Sequence, residues 1–340
     1  SDWSSDVCSS DLVEPDPPEP VFVTRPLLPP LNEVVPLLEE IWESRLLTNR
    51  GPMNHRLEAA LRDHLGVAHP TLVANGTLGL VTALLALDLP PGTEVVTTPF
   101  SFVATTHAIL TAGLIPRFVD IDPDTYNLDP GLIEAALTER TGAILPVHCF
   151  GRACDTEAIE RIAAARGLRV VYDAAHVFGV RHLGRSLLER GDLSVVSFHA
   201  TKVFNTLEGG CIVVQDAELK KKVERLTNYG FESETVVRAL GLNAKLNEVS
   251  CAFGLAALPR VGDAVRGRGE VAARYRAGLE GVPGVRLPPP VVEQSENYAY
   301  FPVEITEDHP QSRDEVLEAL HARDLYARRY FFPVLPDLQA

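Results

Sequence analysis

The chain is short of positive charge, of long apolar runs and of paired cysteines, and each shortage removes a class of protein. With 31 basic against 46 acidic residues among 340, its net charge is -15. A field of that sign argues against nucleic acid or an anionic membrane as the main partner, although local donors can still meet an anionic small molecule. No apolar run approaches the ~20 residues that a membrane span requires, and no charged-then-apolar leader reads as a secretory signal. The five cysteines, Cys8, Cys149, Cys154, Cys211 and Cys251, are odd in number and lack paired ligand spacing. Neither a disulfide framework nor a metal site is expected, and the reading is a reducing cytoplasm. No GxGxxG follows a strand and no P-loop signature is present. Lysine itself is scarce, five residues against 26 arginines.

What is present is ordinary globular material, 46% hydrophobic and 23% charged, long enough for one large domain and a smaller one. Residues 1–12, SDWSSDVCSSDL, are Ser/Asp-rich without periodicity and read as a probable non-native segment. After a Pro-rich entry, 32–44 has helical spacing with Asn32 as the expected cap. A second helix, from about His55 to Leu65, stops at Gly66. Short apolar runs at 71–74, 94–98, 115–119, 143–147, 169–173, 193–197 and 211–214 then alternate with helical patterns, notably 78–87, 104–112, 130–137 and 156–166. That alternation predicts an α/β fold with a mostly parallel seven-stranded sheet between helices. A long helix at 263–279, a PG/PPP linker at 283–290 and a strand, helix, strand pattern at 298–305, 312–323 and 325–330 predict a smaller α+β domain. The expected division is an N-terminal segment 13–52, a large domain 53–262 and a small domain 263–340, the last expected to be truncated at Ala340.

The stretch Ser197 to Gly210, SFHATKVFNTLEGG, fixes Lys202 between two apolar strands beside small hydroxyl residues. A partly desolvated amine spends more time neutral, and only the neutral amine attacks an aldehyde to form a Schiff base. The competing reading is a solvated loop lysine, as the run Lys220 to Lys222 is expected to be on its helix face. In a parallel sheet the ligand crevice lies beyond the carboxyl ends of the strands. There Asn75-Gly76-Thr77 opens a helix, which suits either a phosphate cradle or a plain cap. Phe102 heads another helix, where its ring could stack on a planar cofactor, although a core aromatic is the commoner case. Asp173 and His176 follow the strand at 169–172. They suit a carboxylate paired with a protonated ring nitrogen and an imidazole bonding a phenolic oxygen, or a turn cap and a core histidine. Phosphate cradle, stacking ring, carboxylate and amine together describe pyridoxal 5'-phosphate.

ANGTLGL, TPFSFVATTHAIL, FVDIDPDTYNLDP, LPVHCFG, YDAAHVFG and SFHATKVFNTLEGG resemble the DegT/DnrJ/StrS family of sugar-nucleotide aminotransferases, within the fold type I pyridoxal-phosphate enzymes. The similarity spans about 21–340; LPPLNEVVPLLEEIW, LTNRGP and GLNAKLNEVSCAFGL are similar to the branch making 4-amino-4,6-dideoxy sugars. The resemblance implies that Lys202 anchors the cofactor and shuttles the proton, Asp173 holds the pyridine nitrogen protonated and His176 bonds the phenolic oxygen. Gly76, Thr77 and Ser197 would bind the phosphate and Phe102 would cover the ring. Asn228 would reach the phosphate of a neighbouring subunit, implying a homodimer, with Asn243 and Lys245 near the substrate. The implied reaction moves an amino group from glutamate or glutamine to a nucleoside-diphosphate-linked 4-keto-6-deoxy sugar. Relatives with histidine in place of Lys202 are dehydratases, and many carry glutamine in place of His176. A regulatory homologue that keeps the cofactor without turnover is the alternative from another class, and a lyase acting on an amino acid is a third.

Overall fold

The computed structural model describes residues 19–337, so the 1–12 segment and Cys8 lie outside the described residues. All seven expected strands join one sheet, in the order His69–Val73, Gly210–Val214, Leu193–Ser197, Arg169–Asp173, Thr141–Leu145, Glu94–Thr97 and Ile115–Phe118. Gly210–Val214 runs antiparallel to both neighbours, and the remaining pairings are parallel. Helices cover both faces, which is why the central strands read as continuous apolar runs. Successive residues serve opposite layers, as the period of two requires. Val196, Cys211 and Val213 pack with Leu57, Leu61 and Phe204 on one face, whereas Val195, Ile212 and Val214 pack with Leu80, Leu84 and Ile109 on the other.

Several boundaries differ from expectation for identifiable reasons. The helix Leu31–Ser44 starts one residue before Asn32; Pro30 occupies the cap position, and no side chain caps the helix. Proline's fixed φ sets the entry there, so asparagine is not needed. The 130–137 pattern becomes a 3-10 turn, Pro130–Leu132, and a single helical turn, Ile133–Ala136. Of the run 298–305 only Glu304–Ile305 is strand, and of 325–330 only Leu325–Tyr326, which pairs with Val21–Phe22. Tyr298 takes a left-handed φ of 49°, and the buried Asn297 side chain donates to the carbonyls of His176 and Phe178. This segment is therefore tied to the large sheet's loops instead of a strand partner. Nor are the three consecutive lysines all solvated. Lys220 is mostly buried, pairs with Glu224 at 2.7 Å and donates to the Pro70 carbonyl at 2.7 Å.

One buried carboxylate organises the entry to the large layer. Glu248, fully inaccessible at the start of the helix Glu248–Ala257, accepts the Met53 and Asn54 amides at 2.7 and 3.1 Å. It thereby caps the helix Pro52–Leu65 from a distant part of the chain. Gly51 permits this approach, since a Cβ there would lie 2.7 Å from Glu248 Oε2. Glu248→Ala is expected to cost about 2–4 kcal/mol, because two buried amides lose their acceptor. A urea midpoint lowered at unchanged native far-UV circular dichroism is the expected readout.

Candidate active site

Register brings the predicted residues to one end of the sheet. Ser197 lies opposite Gly210, Gly210 opposite Val73, and Asp173 opposite Val195, two residues before Ser197. Just past Val73, the Asn75 side chain accepts the Leu78 amide at 2.8 Å and its carbonyl accepts the Gly79 amide at 3.0 Å. The first two amides of the helix Gly76–Leu85, those of Gly76 and Thr77, have no acceptor among the described residues. Backbones close tightly around them: a Cβ on Gly76 would lie 3.2 Å from Ser197 Cβ, and one on Gly210 would lie 3.1 Å from Gly76 N. Ser197 Oγ accepts the His199 amide at 3.3 Å, leaving its own hydrogen available. Open amides at a helix N-terminus beside a hydroxyl make a cradle for a phosphate.

Asp173 is 6% exposed, and no cation stands within ion-pair distance of it among the described residues. Its Oδ2 accepts the Thr105 hydroxyl at 2.8 Å and its Oδ1 accepts the Ala175 amide at 3.1 Å. Because the single Thr105 hydrogen is spent on the carboxylate, the Ser101 hydroxyl must donate to Thr105, 2.7 Å away. Burial pushes the Asp173 carboxyl above the usual range, opposed by these hydrogen bonds and by the charge of Lys202.

Lys202 is not a solvated loop lysine. Burial pulls its amine below the ordinary lysine value, and the charges of Tyr330 and Asp173 act in the opposite direction. Its Nζ donates to the Tyr300 hydroxyl at 3.1 Å. The Tyr300 ring lies 4.4 Å from the His176 ring, centre to centre. His176 is 7% exposed, and burial, followed by the charge of Lys202, holds its imidazole far below its ordinary value and therefore neutral. The Phe150 amide donates to His176 Nδ1 at 3.2 Å, so the ring proton resides on Nε2, a donor.

The structure thus brings together Gly76, Asp173, His176, Ser197 and Lys202, with Thr77 exposed at the rim. Phe102, in the cap position of the helix Val103–Thr111, is 61% exposed, which removes the core-aromatic reading and leaves the ring free to cover a ligand. Asn228 stands elsewhere: its Oδ1 accepts the Lys245 amine at 2.7 Å, and that amine also reaches Asn243 Oδ1 at 2.9 Å. Asn228 and Lys245 share an open surface with Asn49 and Arg50, and neither bonds to Lys202 or Asp173.

Sequence reasoning missed Ser101, Thr105, Phe150, Tyr300 and Tyr330. A weak signal existed in the aromatic density of NYAYF and RRYFF; Phe150, Tyr300, Tyr330 and Phe331 now form one wall of the site. Thr105→Val, near-isosteric, is expected to cost about 1–3 kcal/mol by withdrawing a donor from a buried carboxylate. Chemical denaturation of the cofactor-free protein measures it.

Residues 32–339 match the family model described as the DegT/DnrJ/EryC1/StrS aminotransferase family. The chain belongs to this family. Among curated proteins it is similar to the dTDP-4-amino-4,6-dideoxy-D-glucose transaminases of Shigella dysenteriae and Escherichia coli. The first is 49% identical over 95% of this chain and 87% of that protein, the second 43% identical over 93% and 85%. Among solved structures it resembles DesI, solved in the presence of its TDP-sugar product. The TM-score is 0.90 at 37% identity, covering 95% of this chain and 82% of DesI. It also resembles NtdA from Bacillus subtilis with bound cofactor PMP, with a TM-score of 0.83 at 27% identity, covering 91% and 71%. The family's cofactor is pyridoxal phosphate. The donor set fits it: open helix amides for a phosphate, an unpaired buried carboxylate for a ring nitrogen, and a desolvated amine for an aldehyde. Among the described residues, no helix is long and apolar enough to cross a membrane.

Proposed function

We propose that this aminotransferase moves an amino group from glutamate or glutamine to the keto carbon of a nucleoside-diphosphate-linked 4-keto-6-deoxy sugar, in amino-sugar or polysaccharide biosynthesis. The observation that carries the reading is the pair Lys202 and Asp173, both desolvated and each within reach of the other's charge. Two relatives at 49% and 43% identity are named for dTDP-4-amino-4,6-dideoxy-D-glucose, which supports dTDP as the carrier and C-4 as the position aminated.

When bound, pyridoxal phosphate supplies an aldehyde that links covalently to amines and a cationic ring that withdraws electrons from the adjoining carbon. Lys202 Nζ would hold the cofactor covalently, and the same amine would take the proton from the donor's α-carbon and deliver one to the sugar carbon. Asp173 would keep a proton on the ring nitrogen, with its carboxylate oriented by the Thr105 hydroxyl. His176 Nε2 would donate to the phenolic oxygen. The Gly76 and Thr77 amides and the Ser197 hydroxyl would hold the phosphate, and Phe102 would cover the ring face. A wall of Phe150, buried, and Tyr300, Tyr330 and Phe331, partly buried, would limit water at the amine.

The active unit we propose is a homodimer in the cytoplasm, with Asn228 serving the partner's phosphate site and Asn243 and Lys245 nearby. Exposed Phe22, Leu28, Leu31, Trp42 and Leu47 supply apolar surface for such a contact, and the four described cysteines are free and buried. Within each subunit, 53–262 is taken as the cofactor domain and 263–340 as the smaller one. Spectrophotometry tests the reading: glutamate is expected to bleach the visible band of the loaded protein, and a dTDP-linked 4-keto-6-deoxy sugar to restore it. A band indifferent to every amino donor would favour the regulatory alternative.

A further inference from the structure

A cavity of about 240 Å³ shares Phe150 and Tyr300 with the site described above but is lined by neither Lys202 nor Asp173. Two arginines line it, Arg152 from the loop after the strand Thr141–Leu145 and Arg276 from the helix Val261–Leu279. Among the described residues neither has a carboxylate within ion-pair distance, although acidic residues outnumber basic ones 46 to 31. Arg276 donates to the Pro288 carbonyl at 3.1 Å, whereas Arg152 Nε is buried without any acceptor. Glu296 lines the same cavity, so the walls carry one positive charge in excess. Burial pulls the Arg152 guanidinium below its ordinary value and Arg276 adds to that pull, against Glu296, Tyr126 and Asp122. A guanidinium keeps its proton regardless. What is left unmet is a half-buried cation with an idle donor, near Glu296 and Asp122 but in ion-pair contact with neither.

The walls are held in place without a ligand. Gln294 Oε1 accepts the Ala153 amide at 2.8 Å, its Nε2 donates to the Gly151 carbonyl at 2.8 Å, and Asn297 ties the same segment to the His176 carbonyl at 2.9 Å. We propose that this cavity binds a small oxyanion, a carboxylate or phosphate group held between Arg152 and Arg276, with the rest of the ligand against Tyr298 and Phe301. Guanidinium forks match the planar, two-oxygen faces of such groups, and a ligand oxygen gives Arg152 Nε the acceptor that the protein withholds.

Calorimetric titration of the cofactor-loaded protein at low salt, with inorganic phosphate and separately with glutarate, tests this. Saturable binding of one ion per chain is expected for at least one probe, weakened about tenfold or more in R152Q and in R276Q and abolished in the double variant. The cofactor band and far-UV dichroism serve as controls for folding; R276Q, on a solvent-facing helix, keeps the test open should R152Q misfold. Competition between the bound probe and the nucleotide sugar would identify the natural oxyanion as the substrate's diphosphate, and absence of competition would identify it as a free anion. Either result supports a two-arginine site. No saturable binding to the unmodified protein, or equal binding by the double variant, overturns it.

Discussion

Lys202→Ala is expected to lower transamination by at least about 10⁴-fold, since one nitrogen serves as covalent anchor and as the base and acid of both proton transfers. Nothing nearby can replace it. The other four lysines lie at 220–222 and 245. Lys220 is committed to Glu224 and the Pro70 carbonyl, and Lys245 to Asn228 and Asn243. The variant should nevertheless fold, because Lys202 lies in a loop and contributes one hydrogen bond, to Tyr300, to the packed structure. Steady-state rates alongside a thermal melt separate the two effects. An unfolded variant would make the loss uninformative; a folded variant with retained turnover would remove Lys202 from the mechanism.

Asp173→Asn is expected to move activity and stability in opposite directions. An amide cannot keep a proton on the ring nitrogen, and losing one buried electrostatic partner of a reacting group costs about 10²–10³-fold in rate. The cofactor-free protein, in contrast, should become more stable at neutral pH. Burial raises the Asp173 carboxyl in the folded chain. A carboxyl raised in this way binds its proton more tightly folded than unfolded, so its penalty is absent at low pH. The penalty develops as pH climbs through and above the usual carboxylate range. Urea midpoints of the cofactor-free parent and variant should therefore agree near pH 3 and diverge in favour of asparagine by pH 7. A variant equally active, or one less stable at pH 7 than the parent, would contradict the role given to this carboxylate.

The sheet was legible because its central strands are buried on both faces, so Val95-Val96, Val170-Val171 and Val195-Val196 stand out as unbroken apolar runs between helical patterns. Of the residues meeting at its carboxyl edge, Gly76, Asp173, His176 and Lys202 are legible from their position at or just past the strand ends, whereas the role of Ser197 comes from the family resemblance. Long-range packing was not legible. Thr105 reads as an ordinary helical residue until the fold turns its hydroxyl onto Asp173, 68 positions away. Tyr300 lies in an alternating aromatic run that suggests a strand. Its position depends instead on Asn297 and a left-handed Tyr298, neither of which has a periodic signature. Three successive lysines also gave no hint that Lys220 alone turns inward toward Glu58 and Glu224.

The central claim is that one particular amine holds the cofactor. Borohydride reduction of the loaded protein, followed by peptide mass mapping, makes that linkage permanent and locates it. The account predicts a single modified residue, Lys202, with none in the Asp173→Asn variant that is not also there; modification at another lysine, or none at all, would contradict it.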